Sequence, residues 1–276
     1  MSPEAPPARG RALAAGERVL LVDRKDRRYL VTLHPGRSFQ SHAGVIEHES
    51  VIGRSEGEEV EAHQRDGRVT SSARYLVLRP TLADVVIGMP RGAQVIYPKD
   101  LGAIIIAADI FPGARVLEAG VGSGALSMAM LRAGAVITGY ELRPDFAERA
   151  RANVEAFLGP DQPYSVLERD VYLGIETDGL DRVVLDLAEP WQVVTHAEKA
   201  LAPGGIFLAY LPTINQTAEL RGALERSAFA MAETFEILRR TWHIEGRSVR
   251  PDHRMVAHTG FVTSARLLST RTLLPT

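Results

Sequence analysis

The sequence predicts an α/β protein: a doubly wound, mostly parallel sheet preceded by a small N-terminal β domain. After about residue 79, apolar strand-like segments alternate with helical segments, and this alternation is typical of a parallel sheet covered on both faces. Inside that region, residues 116–125 form an apolar strand, a glycine turn and a helix start, and the next strand closes with Tyr140-Glu141. This arrangement predicts one nucleotide-binding half of a doubly wound sheet.

The first 78 residues contain short β-rich segments separated by frequent turns. Residues 1–16 are rich in Ala, Pro and Arg and are predicted to be a frayed tail. Strands are predicted at residues 18–22, 29–33 and 74–78, with turns at Pro35-Gly36, Gly44, Gly53 and Asp66-Gly67. We therefore expect an N-terminal tail and β domain at residues 1–78, and a second domain at residues 79–276.

The second domain is predicted to continue as alternating strands and helices. Strands are expected at residues 115–118, 135–140, 164–168, 182–187 and 205–211, and helices at 125–131, 144–158, 196–201 and 217–230. Residues 234–244 and 260–268 are predicted to form an antiparallel edge pair.

The composition fits one ordinary globular subunit. Of 276 residues, 45% are apolar and 24% charged, and the formal net charge is -2, which neither indicates nor excludes a nucleic-acid partner. The absence of cysteine excludes disulfides, thiolate metal sites and cysteine nucleophiles. No apolar stretch is long enough to span a bilayer and no signal pattern is seen, so a cytoplasmic location is expected.

The glycine turn indicates the class of ligand. Its glycines have the spacing Gly-x-Gly-x-Gly, whereas dinucleotide-binding folds use Gly-x-Gly-x-x-Gly to seat a pyrophosphate. The turn resembles the first motif of S-adenosylmethionine-dependent methyltransferases, whose ligand carries no phosphate. Glu141 offers two acceptor oxygens, suited to two ribose hydroxyls, and Asp170 could accept from the cofactor's adenine amino group. The alternatives are a solvated acid at a strand end and a surface aspartate in a turn.

A second strand leads into Asp186, within the segment Asp-Leu-Ala-Glu-Pro-Trp. Together with residues 94–100, 211–216 and 253–261, this segment resembles the bacterial and archaeal tRNA (adenine-58-N1)-methyltransferase family, particularly its actinobacterial members. The resemblance covers residues from about 18 to 268 and rests on four separated segments that match in order.

The resemblance implies a fold, a reaction and a set of site residues. Members of the family have a Rossmann-like methyltransferase domain, use S-adenosylmethionine to methylate N1 of adenine in the tRNA T-loop, and are homotetramers. By this resemblance Asp186 accepts the target's 6-amino group and balances the product cation, while Tyr97 and Tyr210 flank the ring. The implied cofactor contacts are Gln94, Ile96, Tyr97, Glu118, Gly120, Val121, Gly122, Ser123, Gly124, Ala125, Glu141, Asp170, Val171 and Asp186.

Substrate binding is expected to depend on a basic tract near the C-terminus. Its seven arginines are Arg239, Arg240, Arg247, Arg250, Arg254, Arg266 and Arg271, against the two acids Glu245 and Asp252. Such a tract could contact tRNA phosphates, although a solvated face is the alternative. A weaker cluster is Arg24, Lys25, Arg27 and Arg28. Three nearby histidines lack the spacing of a metal site, so no metal is predicted.

Two other functions remain open from the sequence. An isoaspartyl-type protein or small-molecule methyltransferase would share the glycine turn but would need neither the basic tract nor the Asp186 segment. A non-catalytic RNA-binding subunit is the second alternative, and the intact glycine turn together with Asp186 argues against it.

Overall fold

The computed structural model of the chain describes residues 10–63, 69–89 and 94–269. The chain forms two compact units: one contains Met1–Pro90 and Glu155–Asp161, and the other contains Arg91–Val154 and Gln162–Thr276. The domain boundary at residue 78 stays a prediction. The expectations for residues 1–9, for the Asp66-Gly67 turn and for Arg271 lie outside the described residues.

The first unit is the predicted small β domain, and its sheet is antiparallel. Its described elements are β1 (Arg18–Asp23), β2 (Arg28–Thr32), β3 (Ser38–Ser41), β4 (Gly44–Glu47), β5 (Glu59–His63), β6 (Val69–Leu78) and α1 (Leu82–Gly88). The strand order is β2-β1-β6-β5-β4-β3. Leu13 is 1% exposed and packs in the core of this unit. The predicted frayed tail is therefore wrong at its last residues, because burial of an apolar side chain fixes the chain there.

The second unit contains the alternating elements. They are α2 (Pro98–Ala107), β7 (Arg115–Ala119), α3 (Ala125–Arg132), β8 (Val136–Tyr140), α4 (Pro144–Leu158), β9 (Tyr164–Leu167), β10 (Leu180–Leu185), α5 (Val194–Ala200), β11 (Leu201–Leu211), α6 (Ile214–Glu225), β12 (Phe229–Glu236), β13 (Trp242–Glu245), β14 (Ser248–Pro251) and β15 (Phe261–Leu267). The last residues of α4, from Glu155 on, belong to the first unit. No helix in the described ranges is long and apolar enough to cross a membrane.

The main sheet of this unit has the order β12-β15-β11-β10-β7-β8-β9. Strands β7 to β11 pair in parallel, whereas β15 runs antiparallel between β11 and β12. The chain moves outward from β7 to β9 and then returns to the other side of β7 at β10. Ligands bind at such a switch point, beyond the carboxyl ends of the strands, which here are followed by the glycine turn and Asp186.

Several elements differ from the sequence prediction, and helices α1 and α2 were not predicted. Helix α6 ends at Glu225 rather than at residue 230, and β12 begins at Phe229. Strand β10 ends two residues early, at Leu185, which leaves Asp186 outside the ladder. The predicted edge pair is confirmed for β12 and β15. The end of its predicted first strand, up to residue 244, does not continue that pair, because β13 pairs with β14 in a separate hairpin. Gly246 (φ +53°) supplies the tight turn of this hairpin.

Candidate active site

The glycine turn brings the ends of β7 and β10 into direct contact. Gly120 has φ +81°, and a Cβ atom there would lie 2.1 Å from the carbonyl oxygen of Asp186. The backbone N–H of Asp186 also donates to the carbonyl of Ala119 (2.9 Å). Only glycine permits both the left-handed backbone and this close approach. The position of Asp186 is therefore fixed by the turn itself.

Glu141 reaches the same turn from the end of β8. Its Oε2 accepts from the backbone N–H of Gly122 (3.1 Å), and its Oε1 accepts from that of Arg143 (3.0 Å). The side chain is buried. Because each carboxylate oxygen can accept more than one hydrogen bond, Glu141 keeps acceptor capacity for the hydroxyls of a ligand. The structure thus brings the predicted acid and the predicted glycines together.

Two further buried polar groups lie around the turn. The hydroxyl of Ser123 is buried, and within the described residues it has no hydrogen-bond partner. Glu118 accepts from the hydroxyl of Ser127 (2.6 Å). Burial raises the pKa of Glu118 to about 8, and the negative charges of Asp186 and Glu141 add to that shift. The buried Ser123 hydroxyl therefore costs free energy unless a ligand forms a hydrogen bond with it.

Asp186 lies directly beyond β10, at the wall of a cavity of about 460 Å³. Burial raises the pKa of its carboxyl to about 7. The cavity has the size of typical small-ligand sites, roughly 300–1,000 Å³. Its walls are formed by Gln94, Val95, Ile96, Tyr97, Asp186, Tyr210, Pro212, Val256, His258 and Thr259. All four sequence segments that carried the resemblance contribute, although they are far apart along the chain.

Tyr210, near the carboxyl end of strand β11, lines the cavity. Its hydroxyl lies 3.4 Å from Oδ2 of Asp100. A Cβ atom on Gly260 would lie 2.3 Å from Cζ of the Tyr210 ring, so the small residue leaves room for the ring. Burial raises the pKa of Tyr210, and the charges of Asp100 and Asp186 raise it further. Tyr210 therefore remains a neutral phenol near neutral pH.

The other predicted cofactor residues occupy varied positions. Val121 and Ala125 are buried beside the turn, Gly124 caps α3 with φ +80°, and Ile96 is buried in the cavity wall while Gln94 is exposed. Asp170 accepts from the backbone N–H of Tyr172 (2.9 Å), and the Val171 side chain packs in the core of the unit. Their roles toward a cofactor stay predictions.

Sequence reasoning gave no role to Lys99, Asp100, His258 or Thr259, which adjoin the cavity. Lys99 and Asp100 form a buried ion pair (2.8 Å). His258 lies between a carboxylate of Glu236 and the carbonyl of Pro212, at 2.9 Å from each. The available signal was the charged pair Lys99-Asp100 at the start of an otherwise apolar segment, where an acid facing the core requires a partner.

The basic tract is divided between two ends of the sheet. Arg239, Arg240, Arg247 and Arg254 are exposed and Arg250 is half-buried, all on an arm of residues 238–258 that contains β13 and β14. This arm leaves the sheet at the cavity end. Arg266 instead pairs with the start of β11 and donates to the carbonyl of Gly204 at the opposite end.

The weaker basic cluster of the first unit is largely neutralised. Arg27 pairs with Asp23 (2.6 Å), and Arg28 pairs with Asp84 (3.0 Å). A paired arginine offers less to a phosphate than an unpaired one, so this cluster is a weaker candidate than the arm.

The residues around the glycine turn fit S-adenosylmethionine better than a dinucleotide. The carboxylate of Glu141, together with Asp186 in its ionised form, favours a cationic ligand and would repel a pyrophosphate. The unpartnered hydroxyl of Ser123 and the acceptors of Glu141 suit the polar groups of an amino acid and a ribose. Among the described residues no group of three or more His, Asp or Glu side chains could hold a metal ion.

Comparisons with known proteins show the family of the chain. A family model described as the tRNA methyltransferase complex GCD14 subunit matches residues 74–259, and one described as TrmI-like N-terminal matches residues 12–60. The chain is 36% identical to the tRNA (adenine(58)-N(1))-methyltransferase TrmI of Thermus thermophilus over 90% of this chain and 96% of that protein. It is 34% identical to the adenine-57 and adenine-58 enzyme of Methanocaldococcus jannaschii over 90% of this chain and 94% of that protein.

Two solved structures are similar over nearly the whole chain. The tRNA (m1A58) methyltransferase TrmI of Aquifex aeolicus has a TM-score of 0.80 and 29% identity, covering 94% of this chain and 100% of that one. A structure described as a SAM-dependent O-methyltransferase of Thermotoga maritima has a TM-score of 0.87 and 30% identity, covering 95% and 97%.

Proposed function

The chain belongs to the bacterial and archaeal tRNA (adenine-58-N1)-methyltransferase family, and we infer that it methylates N1 of adenine 58 in the T-loop of tRNA. The observation that carries this function is the cavity in which Asp186, Tyr97 and Tyr210 meet beside the glycine turn. An acid and two aromatic side chains are the groups needed to hold an adenine by its amino group and by its ring faces.

The methyl donor is proposed to be S-adenosylmethionine, which supplies an electrophilic methyl group on a sulfonium. Glu141 is the proposed acceptor for the ribose hydroxyls. The backbone N–H groups of residues 120–124 and the Ser123 hydroxyl are proposed to bind the amino-acid end. The carboxylates of Glu141 and Asp186 favour a cationic ligand electrostatically over its neutral demethylated product.

Asp186 is proposed to act on the adenine. The N1 lone pair is free at neutral pH, so no base has to remove a proton from it before attack. The carboxylate accepts a hydrogen bond from the 6-amino group, which orients N1, and it stabilises the positive charge that grows on the ring. Since burial raises the Asp186 pKa to about 7, the active carboxylate form becomes more populated as pH rises through neutrality.

The tRNA is proposed to bind along the arm. Arg239, Arg240, Arg247 and Arg254 are exposed there, and no ion pair is formed by any of them within the described ranges. Phosphates attract such side chains through a sequence-independent, salt-dependent interaction. The arm begins at the cavity end of the sheet, so a backbone bound along it would lie near the adenine pocket.

We also propose a homotetramer. In the arm, β13 pairs with β14 so that Trp242 faces Pro251 and Ile244 faces Val249, and directly opposed residues lie on the same face of a hairpin. Trp242, Ile244 and Val249 are 56%, 72% and 61% exposed. An apolar face of this kind is typical of a subunit interface.

The proposed location is the cytoplasm.

The function is tested by incubating the purified protein with unmodified tRNA transcript and isotopically labelled S-adenosylmethionine. Nuclease mapping with mass spectrometry should place 1-methyladenosine at position 58, and a transcript with guanine at position 58 should stay unmethylated. The mapping also reports whether adenine 57 is modified.

The same preparation separates the other functions. Methylation of an isoaspartyl peptide or of a hydroxyl group, with no product in tRNA, would favour a protein or small-molecule methyltransferase. Binding of tRNA without transfer of label, in an assay that contains S-adenosylmethionine, would favour the non-catalytic subunit.

A further inference from the structure

A buried polar network lies behind the adenine pocket and reaches the base of the arm. Lys99 and Asp100, in the first turn of α2, have side chains that are 5% and 0% exposed. They immediately follow Tyr97, which is the N-cap residue of the same helix and lines the cavity. A buried ion pair is costly unless its remaining donors and acceptors are satisfied.

The three protons of the Lys99 ammonium all have acceptors. Nζ donates to Oδ1 of Asp100 (2.8 Å), to the carbonyl of Ile237 (2.7 Å) and to the hydroxyl of Thr259 (2.5 Å). Ile237 lies just before the arm and Thr259 lies just after it. One side chain therefore holds both strands at the base of the arm.

Asp100 connects this clamp to the pocket. Its Oδ2 accepts from the Thr259 hydroxyl (2.6 Å) and lies 3.4 Å from the Tyr210 hydroxyl. Thr259 also lines the cavity, and the next residue, Gly260, packs directly against the Tyr210 ring. The network that holds the base of the arm thus also contacts Tyr210, one of the two aromatic walls of the pocket.

We propose that Lys99, Asp100 and Thr259 are positioning residues that couple the placement of the RNA-binding arm to the placement of Tyr210 in the adenine pocket. This proposal rests on the proposed function for its catalytic consequence. None of the three is proposed to touch the reacting atoms. A displaced pocket wall misaligns the adenine, so we expect these residues to affect the methyl-transfer step. The glycine turn and Glu141 lie outside this network, so we expect cofactor affinity to be unaffected.

Thr259 is the residue to change. Removing Lys99 would leave Asp100 buried without its countercharge, and the protein could then fail to fold. Thr259→Val keeps the size of the side chain and removes only the hydroxyl that links Lys99 to Asp100. Thr259→Ser restores the hydroxyl. Thr263→Val is the matched control, because Thr263 is buried on the same segment of chain and its hydroxyl bonds to Thr234 (2.9 Å), outside the network.

The experiment combines single-turnover methylation of tRNA, calorimetric affinity for S-adenosylmethionine and amide hydrogen exchange. For Thr259→Val we expect the single-turnover rate at saturating tRNA to fall about tenfold and cofactor affinity to stay within about twofold. Peptides covering residues 237–241 and 253–260 should exchange faster. Thr259→Ser and Thr263→Val should retain the parental rate within about threefold and the parental exchange at these peptides.

Two results would overturn the proposal. One is a Thr259→Val enzyme with an unchanged single-turnover rate. The other is an equal loss of rate in Thr263→Val, which would assign the effect to general stability. If the parental protein methylates no tRNA, the proposed function fails. Hydrogen exchange at the base of the arm then still tests whether the Thr259 hydroxyl holds the arm, and unchanged exchange in Thr259→Val would refute that role.

Discussion

Replacing Gly120 by Ala should disable the active site without unfolding the protein. The added Cβ would lie 2.1 Å from the Asp186 carbonyl oxygen, where an ordinary contact begins at 3.4 Å. The ends of β7 and β10 must therefore separate by about 1 Å, a displacement that costs roughly 100-fold in rate when it affects a positioned catalytic group. The left-handed backbone at Gly120 adds a further cost of about 1–2 kcal/mol in folding stability.

The control for this substitution is Gly113→Ala. Gly113 has φ +87°, close to that of Gly120, but a Cβ atom there would have nothing within 4 Å. Both variants therefore bear the backbone cost, and only Gly120→Ala displaces Asp186. Single-turnover methylation of tRNA and thermal unfolding should be measured for both. A Gly120→Ala enzyme as fast as Gly113→Ala would refute the claim that this contact positions the acid.

Three other predictions concern the cofactor, the RNA and a buried acid. Glu141→Ala should weaken S-adenosylmethionine binding about 30- to 1,000-fold by calorimetry, through loss of two charge-assisted hydrogen bonds; unchanged affinity would contradict its role. Neutralising Arg247, Arg250 and Arg254 together should weaken tRNA binding and lower its log–log salt slope by about 0.7–0.9 per lost phosphate contact, while cofactor affinity stays unchanged; an unaltered slope would reduce the tract to a solvated surface. Because the folded pKa of Glu118 is raised to about 8, its contribution to the free energy of unfolding should be lost as pH rises from about 4.5 to 8. Glu118→Gln should flatten that dependence in urea titrations, and an unchanged pH slope would show that Glu118 ionises normally.

The parts of the site that lie near one another in sequence could be predicted. The spacing from the glycine turn to Glu141 follows from one strand-helix-strand unit, and Asp186 follows a second buried strand, β10, which lies on the other side of β7. The carboxyl ends of parallel strands share one edge of the sheet. Residues that directly follow such strands in sequence are therefore close together in space. The hydrogen bond from Gly122 to Glu141 is the outcome of that rule.

The parts that depend on distant partners could not be predicted. Lys99 and Thr259 are 160 residues apart, and no local pattern indicates that they meet. The apolar run that forms most of α2 gives no helical period, because its residues are apolar on every face, so the helix was missed. The hairpin of β13 and β14 had a signal that was overlooked, the glycine at residue 246 between two short strand-like segments.

The most direct test of the central claim is the single-turnover rate of Asp186→Asn on tRNA. This variant keeps the shape of the side chain and one acceptor oxygen but lacks the negative charge opposite the developing adenine cation. The rate should fall by about 10²–10³ while affinity for S-adenosylmethionine is retained. A nearly fully active Asp186→Asn enzyme would contradict the assignment of Asp186 as the group that stabilises the cation.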